Sequence, residues 1–552
     1  MQHDASTPTR REVLASTAAL ALTAASPARS APPSTARGTV FDAGSSPRKG
    51  IPDVMVSNGL DVAKTGPDGG WSLSVRDGDS VFAIKPSGWA LPVDPETGLP
   101  RFAYVYAPDG SPDLGFRFDG VAATGPLPDS IDFALHRRPE ATRFNAVLFT
   151  DPQPESLHEV DYIRDDIVAA VDATQAAFGL THGDIMFDDL SFYPRYNRIV
   201  GSIGLPWFNC RGNHDMNLEA PDNTHSAETF KRVFGARWYA FQYGPATFIV
   251  LDNVDYLGSD PTKPNGSGKY RGYFGPRQLA FVRNVLANVP SGDLVVISFH
   301  IPLKTLAKTG PAANTVDARD FLNAIGTHPH TVSFCGHTHT NEHWYFTAAD
   351  GYPAGTHHHQ ILAAVSGSWW SGPFDARGIP MALQTDGAPN GFHILAVDGV
   401  AYTTTLVPAH DPAHGQMRVM LDSQVHDTNA EVARDYRPGA LLAGSIAADR
   451  LGSARLVVNL FDGGPRSRVE IAAGDRPYRP LSKVERLDPF VVQVYEQNRD
   501  SKKPWVEATL SSHLWQGPLP ADLPTGTHRI AVRGTDEYGR IHTASMVLEV
   551  TG

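Results

Sequence analysis

Apolar and polar positions alternate in short bursts over the first quarter of the chain. Residues 50–59 (GIPDVMVSNG) switch between the two and end in Asn58-Gly59, a hairpin-turn dipeptide. A second turn, TGPDGG at 65–70, precedes WSLSV at 71–75, again with period two. With GTVF at 38–41 opening the series, these short strands predict a β-sandwich over residues 31–138.

The texture changes at Asn145. Residues 146–150 (AVLFT) form a continuous apolar run suited to a strand buried on both faces. Residues 160–178 carry helical spacing, with Ile163, Ile167, Val168, Val171 and Ala176 on one side. Strand-like runs recur at 207–209, 246–251, 294–299 and 331–334. A helix is predicted over 276–286, where Leu279, Val282 and Leu286 share a face. Alternating strands and helices predict a layered α/β core of two packed sheets flanked by helices, over 141–408. Beyond it, runs at 454–464, 525–534 and 544–550 predict a second all-β sandwich over 409–552, with 352 as an alternative start of its segment.

Composition narrows the class. Gly (50) and Pro (44) are abundant in 552 residues, which favours turns and short strands. Net charge is −12 and no run of Lys or Arg stands out, so a nucleic-acid polymer is not an expected partner. Two cysteines, Cys210 and Cys335, do not make a disulfide scaffold. Thr9-Arg10-Arg11-Glu12-Val13-Leu14 followed by an Ala-rich stretch reads as a Tat-type signal over 1–30, which implies a periplasmic or extracellular protein. No apolar run is long enough to span a bilayer.

The chemistry sits where the buried strands end. Asp151 and Gln153 follow the run 146–150; then come Gly183-Asp184, Gly212-Asn213-His214-Asp215, His300 and Gly336-His337-Thr338-His339. The carboxyl ends of strands in an α/β sheet form its ligand-binding edge. Carboxylate, carboxamide and imidazole together suit divalent Mn, Fe or Zn, and the absence of Cys from this set excludes a structural zinc-thiolate site.

The ordered set D-x-Q, GD, GNHD, H and GHTH resembles the calcineurin-like metallophosphoesterases over roughly residues 145–340. The flanking β-domains resemble a bacterial subgroup of that family, and the first of them the carboxypeptidase-regulatory-like modules. The resemblance implies two adjacent metal ions. Asp184 would bridge them, Asp151, Gln153 and His339 would hold the first, and Asn213, His300 and His337 the second. It further implies attack on a phosphodiester or phosphomonoester by a hydroxide between the metals, with His214 as general acid and Asp215 orienting its ring. Gln153 stands where many relatives carry His, so manganese is favoured at that site. The same D-x-Q variant occurs in relatives resembling nucleotide diphosphatases and in a branch described as protein phosphatases. A rival reading is a cell-wall or polysaccharide-binding protein on a catalytically weak phosphoesterase scaffold.

Weaker signals follow. Trp369 and Trp370, with Asp386 and Asn390, either line a small-molecule or glycan phosphoester pocket or pack at the interface with the C-terminal domain. His357-His358-His359 reads as a solvated loop, Asp188 and Asp189 as capping or supporting carboxylates, and Lys304, Tyr270 and Arg271 as either phosphate contacts or plain surface residues.

Overall fold

A computed structural model describes residues 33–263, 265–409, 415–422 and 444–552. The twin-arginine segment lies outside the described residues. In the N-terminal unit, strand Ser34–Asp42 pairs with Gly70–Val75, Lys49–Gly50 and Phe133–Arg137. The period-two pattern is realised directly: Trp71, Leu73 and Val75 point inward while Ser72 and Ser74 face water. A second sheet, in the order Val62–Lys64, Met55–Ser57, Ser80–Ala83, Ala103–Val105, closes a sandwich around Val40, Trp71, Val81 and Leu135.

The core holds two sheets. The first runs Trp207–Cys210, Phe178–His182, Arg143–Phe149, Gly391–Asp398, Ala401–Pro408. The second runs Tyr239–Tyr243, Ala246–Val250, Leu294–Ser298, Thr331–Cys335, His357–Ile361, Glu342–Phe346. The five strands that lead into the chemical blocks run parallel to one another within each sheet, while Arg143–Phe149 pairs antiparallel with Gly391–Asp398 on its other side. The continuous apolar run has its reason here. Ala146 and Leu148 join one cluster with Phe248 and Val296 of the other sheet, while Val147 and Phe149 join a second with Ile163, Tyr196 and Val200 of the covering helices. Helices Gly275–Leu286 and Ala318–Ile325 cover the second sheet, with Phe321 stacked on Phe274 at 4.7 Å.

Two expectations fail. The helix over 160–178 is interrupted: an α-helix spans Leu157–Tyr162, a π-helical turn Ile163–Ile167 and single 3₁₀ turns Val168–Ala170 and Ala173–Gln175. Asp172 caps the last turn through Thr174 N, and the β-branched trio Ile167, Val168 and Val171 disfavours continuation. Phe178 then opens an unforeseen strand that pairs with both Arg143–Phe149 and Trp207–Cys210. Its Gly179 reads against a strand in sequence, yet the Trp207 ring fills the place its side chain would take, 2.1 Å from an added Cβ.

The His357-His358-His359 loop is instead a buried strand. Hydroxyls of Thr331 and Ser333 pair with His357 at 2.7 and 2.8 Å, and Ser333 also pairs with His359 at 2.8 Å. Burial holds all three rings neutral by lowering their pKa values.

The C-terminal unit is again a sandwich. Met417–Asp422, Arg455–Leu460, Leu510–Pro518 and Ser482–Leu487 face Ser445–Ala447, Ile541–Thr551, Gly526–Thr535, Arg468–Ala473 and Arg479–Pro480 across Leu456, Val458, Ile471, Trp515 and Val532. Helix Pro489–Gln497, absent from the sequence expectations, packs Val491, Val494 and Tyr495 against Leu383 of the core. The molecule is thus a layered α/β core with an all-β sandwich on each side. No helix among the described residues is long and apolar enough to cross a membrane.

Candidate metal centre

All five chemical blocks leave the carboxyl ends of parallel strands and meet between the two sheets. Reversing the chain there while aiming ligands inward demands unusual backbone. Among the described residues, Asp53 apart, every non-glycine residue with positive φ lies in these loops or the one beside them: Asp151, Gln153, Asp184, Asp188, His337, His339, Trp369 and Trp370. Each costs roughly 1–2 kcal/mol relative to ordinary backbone, so the surrounding structure must hold them. Crowding adds to this: a Cβ on Gly212 would sit 2.0 Å from the Asp184 nitrogen, which leaves only glycine there.

Around Asp184 the hydrogen-bond partners dictate tautomers. His300 Nδ1 lies 2.8 Å from the His182 carbonyl, which only accepts, so Nδ1 carries a hydrogen and Nε2 points inward. His337 Nε2 likewise donates to the Ala312 carbonyl at 2.9 Å, which turns the lone pair of Nδ1 inward. That lone pair sits 3.2 Å from His300 Nε2, which is also 3.0 Å from Asn213 Oδ1 and 3.1 Å from Asp184 Oδ2. Four acceptor atoms therefore converge, and a single proton on His300 can serve only one of them. Burial is the largest single effect and opposes that proton, but the Asp184 and Asp151 carboxylates and the His182 carbonyl together outweigh it and raise the His300 pKa to about 9. The field that attracts the proton is the one that would attract a metal cation. Asp184, His300 and His337 offer ligand atoms all within 4.8 Å of one another.

A second group adjoins it. His339 Nδ1 donates to the Gly367 carbonyl, which leaves Nε2 buried, without a hydrogen-bond partner and 3.6 Å from Asp151 Oδ1. Gln153 Oε1 is also buried and unpaired, while its Nε2 donates to Asp184 Oδ2 at 2.9 Å. Asp184 thus stands between both groups. Burial lifts the Asp151 pKa to about 7, with the Asp184 charge adding to it against His300. Asp184 stays below the carboxylate range, because His300 and His214 overcome the effect of its burial. Buried carboxylates, orphaned acceptors and imidazole lone pairs turned inward fit a pair of divalent cations.

His214 stands at the rim with its side chain 25% exposed. Its backbone nitrogen donates to Asp184 Oδ1 at 2.8 Å, and its ring stacks on Phe187 at 4.5 Å. Asp215 does not orient that ring. Its carboxylate accepts from Gly212 N, Ile185 N, Met186 N and the Tyr193 hydroxyl at 2.9–3.2 Å, tying two ligand loops together. Asp188 is the partner instead, with Oδ1 2.8 Å from His214 Nδ1. Asp189 caps the following turn through Ser191 N.

The four residues expected to bind substrate separate. Trp369 reaches the centre and stacks on His339 at 3.8 Å. Trp370 is buried, donating from Nε1 to the Pro152 carbonyl at 3.2 Å. Asp386 accepts from Asn341 N and His513 Nε2, and Asn390 donates to Asp166 and the Val365 carbonyl. All three are buried, and the Trp370 nitrogen, the Asp386 carboxylate and the Asn390 Nδ2 are engaged inside the protein, while Asn390 Oδ1 is buried without a partner. Tyr270 lies edge-on to His337 at 6.1 Å, whereas Arg271 pairs with Asp255 and Lys304 sits over Trp344. Sequence reasoning missed Phe187 and Trp505, stacked outward from His214, and Lys308, which lies within electrostatic range of Asp151, His337 and His339. A lone exposed aromatic or lysine in a loop carries no sequence signal. Cys210 and Cys335 are free and buried.

The sequence model for calcineurin-like phosphoesterase matches residues 145–341, and that for the C terminal of calcineurin-like phosphoesterase matches residues 359–542. No curated protein sequence matches the chain. Among solved structures, a purple acid phosphatase from yellow lupin (Lupinus luteus) seeds is similar at 11% identity and a TM-score of 0.35, covering 69% of this chain and 72% of that one. The chain belongs to the calcineurin-like phosphoesterase family.

Proposed function

We propose that this protein is an exported hydrolase of phosphodiesters or phosphomonoesters that uses two divalent metal ions, with His214 as general acid. Asp151, Gln153 and His339 would hold one ion, Asn213, His300 and His337 the other, and Asp184 both. The observation that carries the reading is the convergence of His337 Nδ1, Asn213 Oδ1 and Asp184 Oδ2 within 3.0–3.2 Å of His300 Nε2. Two bound cations would neutralise the phosphoryl oxygens and bring water to hydroxide near neutral pH.

The chain's own groups supply the rest. Because Asp188 takes the Nδ1 hydrogen of His214, Nε2 is the atom left to hand a proton to the departing oxygen. Lys308, within electrostatic range of Asp151, His337 and His339, would sit beside the ions rather than beside His214. Gln153 offers a neutral carboxamide oxygen in place of imidazole, which favours manganese over zinc on that side. We place the functional boundaries of the catalytic unit at 141 and 408.

The test uses bis-p-nitrophenyl phosphate and p-nitrophenyl phosphate with added Mn²⁺, beside metal analysis. Wild-type protein should bind two metal ions, lose turnover in a chelator and regain it with Mn²⁺, while Asp184→Asn should bind neither ion. The ratio of the two substrates ranks diesterase against monoesterase. No turnover of either at full metal occupancy would sink the hydrolase reading and favour a binding protein.

A further inference from the structure

The rim beyond His214 carries an aromatic column that neither the metal ligands nor the apolar cores require. Phe187 stacks on His214 at 4.5 Å with planes 24° apart, and Trp505 stacks on Phe187 at 5.6 Å with planes 23° apart. Phe187 belongs to the loop that carries Asp184, whereas Trp505 follows helix Pro489–Gln497 of the C-terminal unit. The indole is 45% exposed, yet its segment is pinned. Lys503 Nζ pairs with Glu155 at 2.7 Å and Glu159 at 2.9 Å, the Lys503 nitrogen donates to Ser371 Oγ at 3.0 Å, and Val506 is fully buried. An exposed indole held in one place loses little entropy on binding a flat partner. The Lys503 ammonium lies 5.9 Å from both ring centroids, which fixes the column further.

We infer that Phe187 and Trp505 form a leaving-group subsite, and that the substrate is a phosphoester of an alcohol bearing a planar unsaturated ring, aryl or nucleobase. The inference rests on the hydrolase reading, in which His214 faces the leaving oxygen. A group departing past His214 runs along this column, and because Phe187 already lies between His214 and Trp505, the ring face open to it is that of Trp505, where π-stacking supplies affinity without demanding one base. Trp505 is then a specificity residue contributed by the C-terminal sandwich to a site built by the core.

The test compares methylphosphonate with naphthylmethylphosphonate by calorimetry on the Mn²⁺-loaded full chain, and glycerol 2-phosphate with 2-naphthyl phosphate in turnover. Wild-type protein should bind the naphthyl compound about tenfold more tightly than the methyl one. Trp505→Ala should remove most of that preference, leave methylphosphonate affinity unchanged, and raise KM for 2-naphthyl phosphate about tenfold at constant kcat. Trp505→Phe should retain the preference, which guards against a misfolded alanine variant. Equal weakening of both phosphonates, or an unchanged ratio, overturns the subsite. Selective phosphonate binding without ester hydrolysis keeps the subsite and overturns the hydrolase reading; hydrolysis without phosphonate selectivity does the reverse.

Discussion

The two β-sandwiches join the same core with different balances of apolar and polar contact. The N-terminal joint is largely apolar: Met55, Phe82, Ile84 and Phe102 merge into one cluster with Phe208, Tyr239, Phe241 and Phe281 of the core. Polar contacts surround it, among them Trp238 Nε1 to the Gly59 carbonyl, Arg277 to Asp79, Lys85 Nζ to the Gln242 carbonyl and Ser111 to Glu228. It also leaves open space, a cleft of about 700 Å³ beside Asp79, Phe82 and Trp238. The C-terminal joint is polar and buried. Asp462 Oδ1 meets His343, His393 and Gln360 at 3.0–3.4 Å, Asp386 joins His513 to Asn341, and the Tyr345 hydroxyl donates to Glu537 at 2.6 Å. Apolar contact is tolerant of small shifts, whereas hydrogen bonds fix position.

Location explains why the second joint needs that accuracy. Thr385 donates to the His339 carbonyl from both its nitrogen and its hydroxyl, at 3.0 Å each, and Thr509 of the C-terminal unit donates in turn to the Thr385 carbonyl at 2.9 Å. The left-handed backbone of His337 and His339 is therefore braced from the C-terminal side. Strands Gly391–Asp398 and Ala401–Pro408 finish the first core sheet, so the segment matched by the C-terminal family model begins inside the core.

The largest predicted effect breaks the polar joint. Asp462→Ala leaves His343, His393 and Gln360 buried around an empty place. Losing one partner of such a cluster costs about 3–5 kcal/mol. Thermal unfolding should shift markedly downward, and phosphoesterase activity should fall with it because loosening the joint slackens the Thr509–Thr385 contact that braces the His339 loop. Retained full activity in a destabilised variant would separate the joint from the site.

Phe82→Ala does the corresponding thing to the apolar joint. Phe82 is fully buried and sits edge-on to Phe102 at 6.4 Å and to Phe281 at 5.9 Å. Truncation should cost about 3 kcal/mol in unfolding free energy. Here kcat/KM at 25 °C should stay within about twofold of wild type, since the contact braces no ligand loop. A parallel collapse of activity in both variants would erase the distinction between the joints.

Much of this was legible from residue order alone, because apolar runs that end abruptly in Asp or His mark strand ends at a site. The core layering and the five blocks came from that signal. What escaped it depends on contacts between distant segments. Phe178–His182 hides as a strand because Thr181 and His182 are polar, yet Trp207 Nε1 donates to Thr181 and the His182 ring bonds the Phe149 carbonyl and Ser298. Asp215 adjoins His214 in sequence but turns away to four donors, while Asp188, twenty-six positions upstream, supplies the contact. The His triplet reads as surface until the hydroxyls of Thr331 and Ser333 are seen beside it.

The smallest effect tests one contact by which the N-terminal unit reaches the site. Arg117 donates from its guanidinium to the Asp188 carbonyl, and Asn265 Nδ2 holds Asp188 Oδ2 at 3.1 Å, so Asp188 keeps its positive φ and its grip on His214. The Arg117 contact is exposed, which limits its worth to about 1 kcal/mol or less. Arg117→Ala should therefore leave thermal stability unchanged and lower kcat by roughly two- to fivefold. The loss should be larger for alkyl leaving groups than for p-nitrophenolate, which departs without a proton. That difference matters more than the size of the loss. A drop equal for both leaving groups would mean that Arg117 affects the site at large rather than through His214, and no drop at all would leave the N-terminal sandwich outside the chemistry.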